Sequence, residues 1–126
     1  MSIGNTRRAT TLLTFIANDV TASTKTGSAV DLQDYEGDIA LSLDAEAGGS
    51  GITYAVKLTE SDTSGGTYTD VSGAAFTTTT ANTALVEQLV VNSDETKRFI
   101  KCVVTVAGGS GTGAVSVLGL AAPKYG

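Results

Sequence analysis

The chain has 126 residues, 41% of them hydrophobic, and a formal net charge of -5. That length is one domain's worth, and that apolar fraction excludes global disorder. Eight basic residues scattered among thirteen acidic ones form no Lys/Arg stripe able to follow a phosphate backbone, which excludes a nucleic-acid partner.

Residues 1–10 are small and polar and read as an extended N-terminal arm carrying Arg7 and Arg8. Two arginines ahead of an apolar run superficially match a secretory leader. The run at 12–17 is short, Thr14 interrupts it, and no clean small-x-small site follows. No stretch reaches the roughly 18–20 apolar residues of a membrane helix. The expectation is a soluble protein made in a cytoplasm without export, with no membrane partner.

Residues 11–17 (TLLTFIA) are the first strand candidate. Residues 18–28 mix turn formers with β-branched residues and have room for a short edge strand, and 29–32 form a brief extended segment. QDYEG at 33–37 reads as a turn. DIALSLDA at 38–45 alternates with Ile39, Leu41 and Leu43 inward, the period of a half-buried strand. Residues 46–51 (EAGGSG) read as a flexible loop.

Residues 52–76 form the clearest unit, two strands around a polar turn. Ile52, Tyr54, Val56 and Leu58 share one face; Thr53, Lys57 and Thr59 share the other. SDTSGG at 61–66 breaks the pattern, 67–71 resume it, and 72–76 continue as a short strand or bulge. A polar connection, TTTTAN, follows at 77–82.

TALVEQLVV at 83–91 has a spacing that also fits a helical turn. Val86 and Val90 share a strand face, and Asn92-Ser93-Asp94 is a turn signal, so a strand is expected. KRFIKCVVTV at 97–106 is apolar on both faces, as a central strand is. A second glycine loop at 107–113 leads to a last strand at 114–121, and both glycine loops fit hairpin ends. The total is about seven or eight strands with frequent turns, which predicts an all-β fold: an antiparallel β-sandwich or jelly-roll-like barrel. Residues 1–10 are the arm, and 11–126 a single domain.

The residues offer little chemistry. No His is present, which removes the commonest general base and metal ligand. Asp34, Glu36 and Asp38 alternate, and Asp44 and Glu46 could join them in space, but the twelve-residue calcium loop pattern is absent and a solvated acidic turn is expected. Asp62 and Asp70 flank the central turn, where Asp usually accepts backbone N–H bonds. The glycine loops lack the lysine of a phosphate-binding loop. Cys102 is single, has no partner within the chain for a disulfide, and reads as a small buried hydrophobe. No catalytic residue, metal site or cofactor is assigned, and no enzyme is expected.

Three segments carry a resemblance: VDLQDYEGDIALSLDA at 30–45, VKLTESDTSGGTYTDVSGAAF at 56–76, and the ending NSDETKRFIKCVVTV through SVLGLAAPKYG. Together they resemble small structural proteins from the morphogenesis gene clusters of tailed bacteriophages, over roughly residues 22–125. The resemblance implies a virion protein, best fitted by a head-decoration (cement) protein on the outside of the major capsid protein lattice. It further implies a homotrimer, assembled in the host cytoplasm, that stiffens the shell. The arm with Arg7 and Arg8 then suits a capsid or subunit contact that orders on docking. Two other readings stand beside it. One is a tail or connector component; the other is an immunoglobulin-like surface-binding module, which would need exposed aromatics at one loop end. Tyr35, Tyr54, Tyr68 and Tyr125 are the tyrosines available, and Tyr54 is expected to be buried.

Overall fold

The computed structural model describes residues 11–20, 24–46, 51–79, 83–108 and 113–123. The arm with Arg7 and Arg8, most of both glycine loops and Tyr125 lie outside the described residues. The described chain is all-β, as expected. Its strands are β1 (Thr11–Val20), β2 (Lys25–Thr26), β3 (Val30–Asp31), β4 (Tyr35–Ala45), β5 (Thr53–Ser61), β6 (Thr69–Ala75), β7 (Leu85–Asn92), β8 (Phe99–Ala107) and β9 (Gly113–Pro123). They form two antiparallel sheets, one ordered β1-β9-β4-β7 and one ordered β2-β8-β5-β6, with β3 also paired to β8. This is the sandwich arm of the expectation rather than a barrel.

Alternation places the core between the sheets. From the four-stranded sheet, β4 sends in Ile39, Leu41, Leu43 and Ala45, and β9 sends in Val115, Val117 and Ala121. From the five-stranded sheet, β5 sends in Tyr54, Val56 and Leu58, and β8 sends in Ile100, Cys102 and Val104. Burial of this layer is the main favourable term in the fold. β8 is central as its two apolar faces required: β5 lies on one side, and β2 and β3 lie end to end on the other. Residues 83–91 are extended in β7 rather than helical, and a short 3-10 turn at Ser93–Glu95 follows. Asn92 caps that turn, its side-chain oxygen accepting the Asp94 N–H at 2.8 Å.

Two expectations are corrected. QDYEG is a turn only at Gln33 and Asp34; Tyr35 already stands in β4, where it and Glu36 pair with Pro123 and Ala122. Gly37, at φ 74°, then lets β4 take two extra residues between its pairings at Glu36 and Ala40. The glycine loops are not hairpin ends. β4 and β5, and likewise β8 and β9, belong to different sheets, so both loops cross from one layer to the other. Among the described strands, only β5 and β6 are consecutive in sequence and paired with each other.

Bulges tune what alternation cannot. Between Thr14 and Ile16 the β1–β9 register shifts by one residue, so the adjacent Phe15 and Ile16 both point into the core. β6 carries the larger irregularity: Lys57 pairs with Ala75, but Thr59 pairs with Asp70, and Gly73 at φ 76° lies in the excess loop. Beyond β6, the Phe76 N–H reaches the Val56 carbonyl at 2.9 Å and the Thr79 N–H reaches the Tyr54 carbonyl at 3.0 Å. The Thr79 hydroxyl in turn accepts the Tyr54 N–H at 2.8 Å.

Phe15 is seated where β9 has no side chain. A Cβ at Gly119 would stand 2.8 Å from Phe15 Cε2, 3.1 Å from Ile39 Cγ2 and 3.2 Å from Leu41 Cδ2. On the far side, a Cβ at Gly27 would run into the Phe15 carbonyl oxygen. Gly119→Ala is therefore expected to cost about 1–3 kcal/mol by overpacking, and Gly119→Val more. Urea unfolding should show a lowered midpoint with unchanged slope. Tyr54, fully buried, holds a hydroxyl with no hydrogen-bond partner among the described residues. Tyr54→Phe removes that desolvated group and is expected to leave stability level or raise it by up to about 1 kcal/mol in the same experiment.

Candidate docking face

The outer face of a sandwich sheet should be polar where water covers it. On the four-stranded sheet one row of that face is not. Strand register lines up Leu12 with Leu120, Leu120 with Ala40, and Ala40 with Val90, one apolar row crossing all four strands. Leu12 is 60% exposed, Leu120 50% and Val90 59%, and Val86 on the same face reaches 70%. The adjacent row, Thr14, Leu118, Ser42 and Gln88, contributes a half-buried leucine at its centre. A shallow groove of about 290 Å³ runs between these rows.

The shared face of Val86 and Val90 read from sequence is thus the outer one. Leu85, Leu89 and Val91 turn inward, Val91 being buried and the leucines packed against the core. Alternation grouped the valines correctly but said nothing of which side faced water.

Charge is segregated between the sheets. β1, β4, β7 and β9 contain no Lys or Arg and five carboxylates: Asp19, Glu36, Asp38, Asp44 and Glu87. Glu36 and Asp38 are exposed on β4 along one side of the apolar row, and Asp44 is exposed on the other side, beyond the Ser42 row. Every basic residue among the described ones, Lys25, Lys57, Lys97, Arg98 and Lys101, lies on the five-stranded sheet or in the segment leading into β8.

Most of those cations have local partners. Arg98 grips Asp31 with two bonds, Nε to Oδ1 at 2.9 Å and Nη2 to Oδ2 at 2.8 Å, and lies 4.8 Å over the Phe99 ring. Its guanidinium holds the Asp31 carboxyl below the ordinary value, helped by the Gln33 N–H at 2.9 Å. Phe99 is half-buried under Arg98. Lys101 stands 4.5 Å over the Tyr68 ring, whose hydroxyl donates to the Ser64 carbonyl. Asp70 meets the Lys57 ammonium at 2.8 Å, and Asp62 lies 4.0 Å from that of Lys97. The expected backbone partners of Asp62 and Asp70 are therefore lysines. The turn N–H of Thr63 goes instead to the Ser61 hydroxyl at 3.2 Å.

Among the described residues no three His, Cys, Asp or Glu side chains gather to hold a metal ion. The alternating acids Asp34, Glu36 and Asp38 do not converge on one point. Cys102 is buried on β8, and that burial pushes its thiol up to about 12.

Two outcomes follow from this geometry. The native protein should resist thiol reagents at neutral pH, with Cys102 labelling only as the chain unfolds; fast labelling of folded protein would contradict the burial. A double-mutant cycle on Asp31→Asn and Arg98→Gln, read by urea unfolding, should give about 0.5–1 kcal/mol of coupling at pH 7, the scale of an exposed pair. The folded Asp31 carboxyl titrates below its unfolded value of 3.8, so the coupling is fully present above that pH and shrinks as the pH falls below it.

The two-sheet architecture recurs in solved structures. A chain of the T13 IBDV viral particle superposes with a TM-score of 0.62 at 15% identity, over 90% of this chain and 31% of that one. A chain of the infectious bursal disease virus Gx strain gives 0.59 at 16% identity, over 92% of this chain and 33% of that one. This chain therefore spans about a third of the length of those viral chains. The SPBc2 prophage-derived protein YomS gives 0.57 at 18% identity, over 89% of this chain and 91% of that one. No protein-family model and no curated protein matches the sequence. At these identities the likeness is one of fold: this chain shares its β-sandwich with chains of viral particles and with a prophage-derived protein.

Proposed function

We propose that this chain is a virion structural protein, a bacteriophage head-decoration (cement) protein that binds the outside of the major capsid protein lattice as a homotrimer. The observation that carries the reading is the row Leu12, Leu120, Ala40, Val90, an unbroken line of exposed apolar side chains across one outer sheet face. A fold held in common with viral-particle chains and a prophage-derived protein supports it, as does the resemblance of three sequence segments to phage morphogenesis proteins. No catalytic role is part of the proposal.

Magnitudes favour a lattice over a free pair. Two rows across four strands cover on the order of 250 Å² at ordinary strand spacing. Because Thr14, Ser42 and Gln88 make part of that area polar, burying it contributes at most about 6 kcal/mol before costs. Lost translational and rotational freedom alone offsets roughly 4–15 kcal/mol. A standard stable interface covers about 800 Å² per partner. One such face is too small to hold a partner alone, but several faces engaged together on a repeating shell bind by avidity.

Light scattering on purified protein should give the mass of a trimer, and the trimer should co-sediment with decoration-free shells of its parent phage. A hexameric or dodecameric ring that stays in the supernatant would favour a tail or connector component. A monomer that ignores shells would favour a surface-binding module. Deleting residues 1–10 with Arg7 and Arg8 is expected to leave the fold intact by circular dichroism and to weaken shell binding about tenfold or more; unchanged binding would remove the arm from the contact.

A further inference from the structure

Among the described residues, the carboxylates around the apolar row have no basic residue on their own sheet to neutralise them, while the cations of the other sheet are mostly engaged locally. Stacking two such faces would set Glu36, Asp38 and Asp44 of one copy near the carboxylates of the other, which like charges oppose. A second copy of this chain is therefore a poor occupant. An apolar strip rimmed with Lys or Arg is complementary in both respects. The area points the same way, since about 250 Å² is too little for a free dimer and enough for one element of a repeated contact.

Resting on the decoration reading above, we infer that the β1-β9-β4-β7 face is the shell-binding side. Its occupant is an apolar strip on the major capsid protein flanked by basic side chains. The row centred on Leu120 and Ala40 excludes water at the middle of the contact. Glu36, Asp38 and Asp44 set its register and its salt dependence from the rim. The five-stranded sheet, with Lys57 engaged at Asp70 and Lys101 at Tyr68, faces away from the shell.

The test is co-sedimentation with decoration-free shells of the parent phage, using full-length protein in four forms. Wild type should pellet, and less so as NaCl is raised from 50 to 500 mM. Leu120→Lys should lower the apparent affinity at least tenfold. The double variant Glu36→Lys with Asp44→Lys should lower it similarly and lose the salt dependence. Thr105→Lys, exposed on β8 of the other sheet, should bind as wild type. Light scattering and circular dichroism on each form separate lost docking from lost assembly or fold. Wild type pelleting with both face variants unimpaired overturns the face assignment and leaves shell binding standing. Face variants that change the solution mass overturn it too, by making the face a subunit contact. Wild type that fails to pellet overturns the shell reading itself. Should the lysine variants unfold, Leu120→Ser and Asp44→Asn carry the same comparison, with a smaller expected loss of about threefold to fivefold.

Discussion

The structure depends on two sheets closing over one apolar layer while the chain passes repeatedly between them. β1 pairs with β9, and β4 bridges β9 and β7, so the four-stranded sheet joins the two ends of the described chain. β8 gathers β2, β3 and β5 into the other sheet. With β5–β6 the one pairing of consecutive described strands, little of this core can form locally. The layer is correspondingly intolerant at its closest approaches. Phe15 fits because β1 bulges, β9 offers Gly119 beneath the ring, and Gly27 lets the neighbouring backbone come close.

Much of the fold was legible from alternation. The inward sets Ile39, Leu41, Leu43 and Tyr54, Val56, Leu58 are buried as expected, and the two apolar faces of the KRFIKCVVTV run placed it centrally. What was not legible has physical reasons. A bulge adds a residue without a reliable composition signal, so the consecutive burial of Phe15 and Ile16 was hidden. Tyr35 and Glu36 look like turn residues but are held extended by β9, a partner more than eighty residues away in sequence. Gly-rich loops resemble hairpin ends whether they return to the same sheet or cross to the other. The exposed apolar row was half-visible: the valines of β7 grouped on one side, but with leucines on the other, no local pattern says which side meets water. Register across four strands was needed to align Leu12, Leu120, Ala40 and Val90.

Site chemistry follows from the same alternation. A strand between core and solvent presents every second residue outward, and in β1, β4, β7 and β9 those residues are aliphatic or acidic far more than basic. In β5 and β8 they include Lys57 and Lys101, each with a partner on its own face. The molecule therefore has two unlike sides: one apolar with a negative rim, the other mixed and largely self-neutralised. That asymmetry suits the decoration role proposed above, because binding through one side must not carry over into stacking through the other.

Orientation on the shell tests the proposed decoration role most directly. A cryo-electron-microscopy reconstruction of parent-phage shells saturated with the protein would show which sheet lies against the lattice. β1, β9, β4 and β7 are expected toward the shell, with Leu120 near the centre of the contact and basic shell residues beside Glu36 and Asp44. Density with β2, β8, β5 and β6 against the shell, or the apolar row left open to solvent, would contradict that placement.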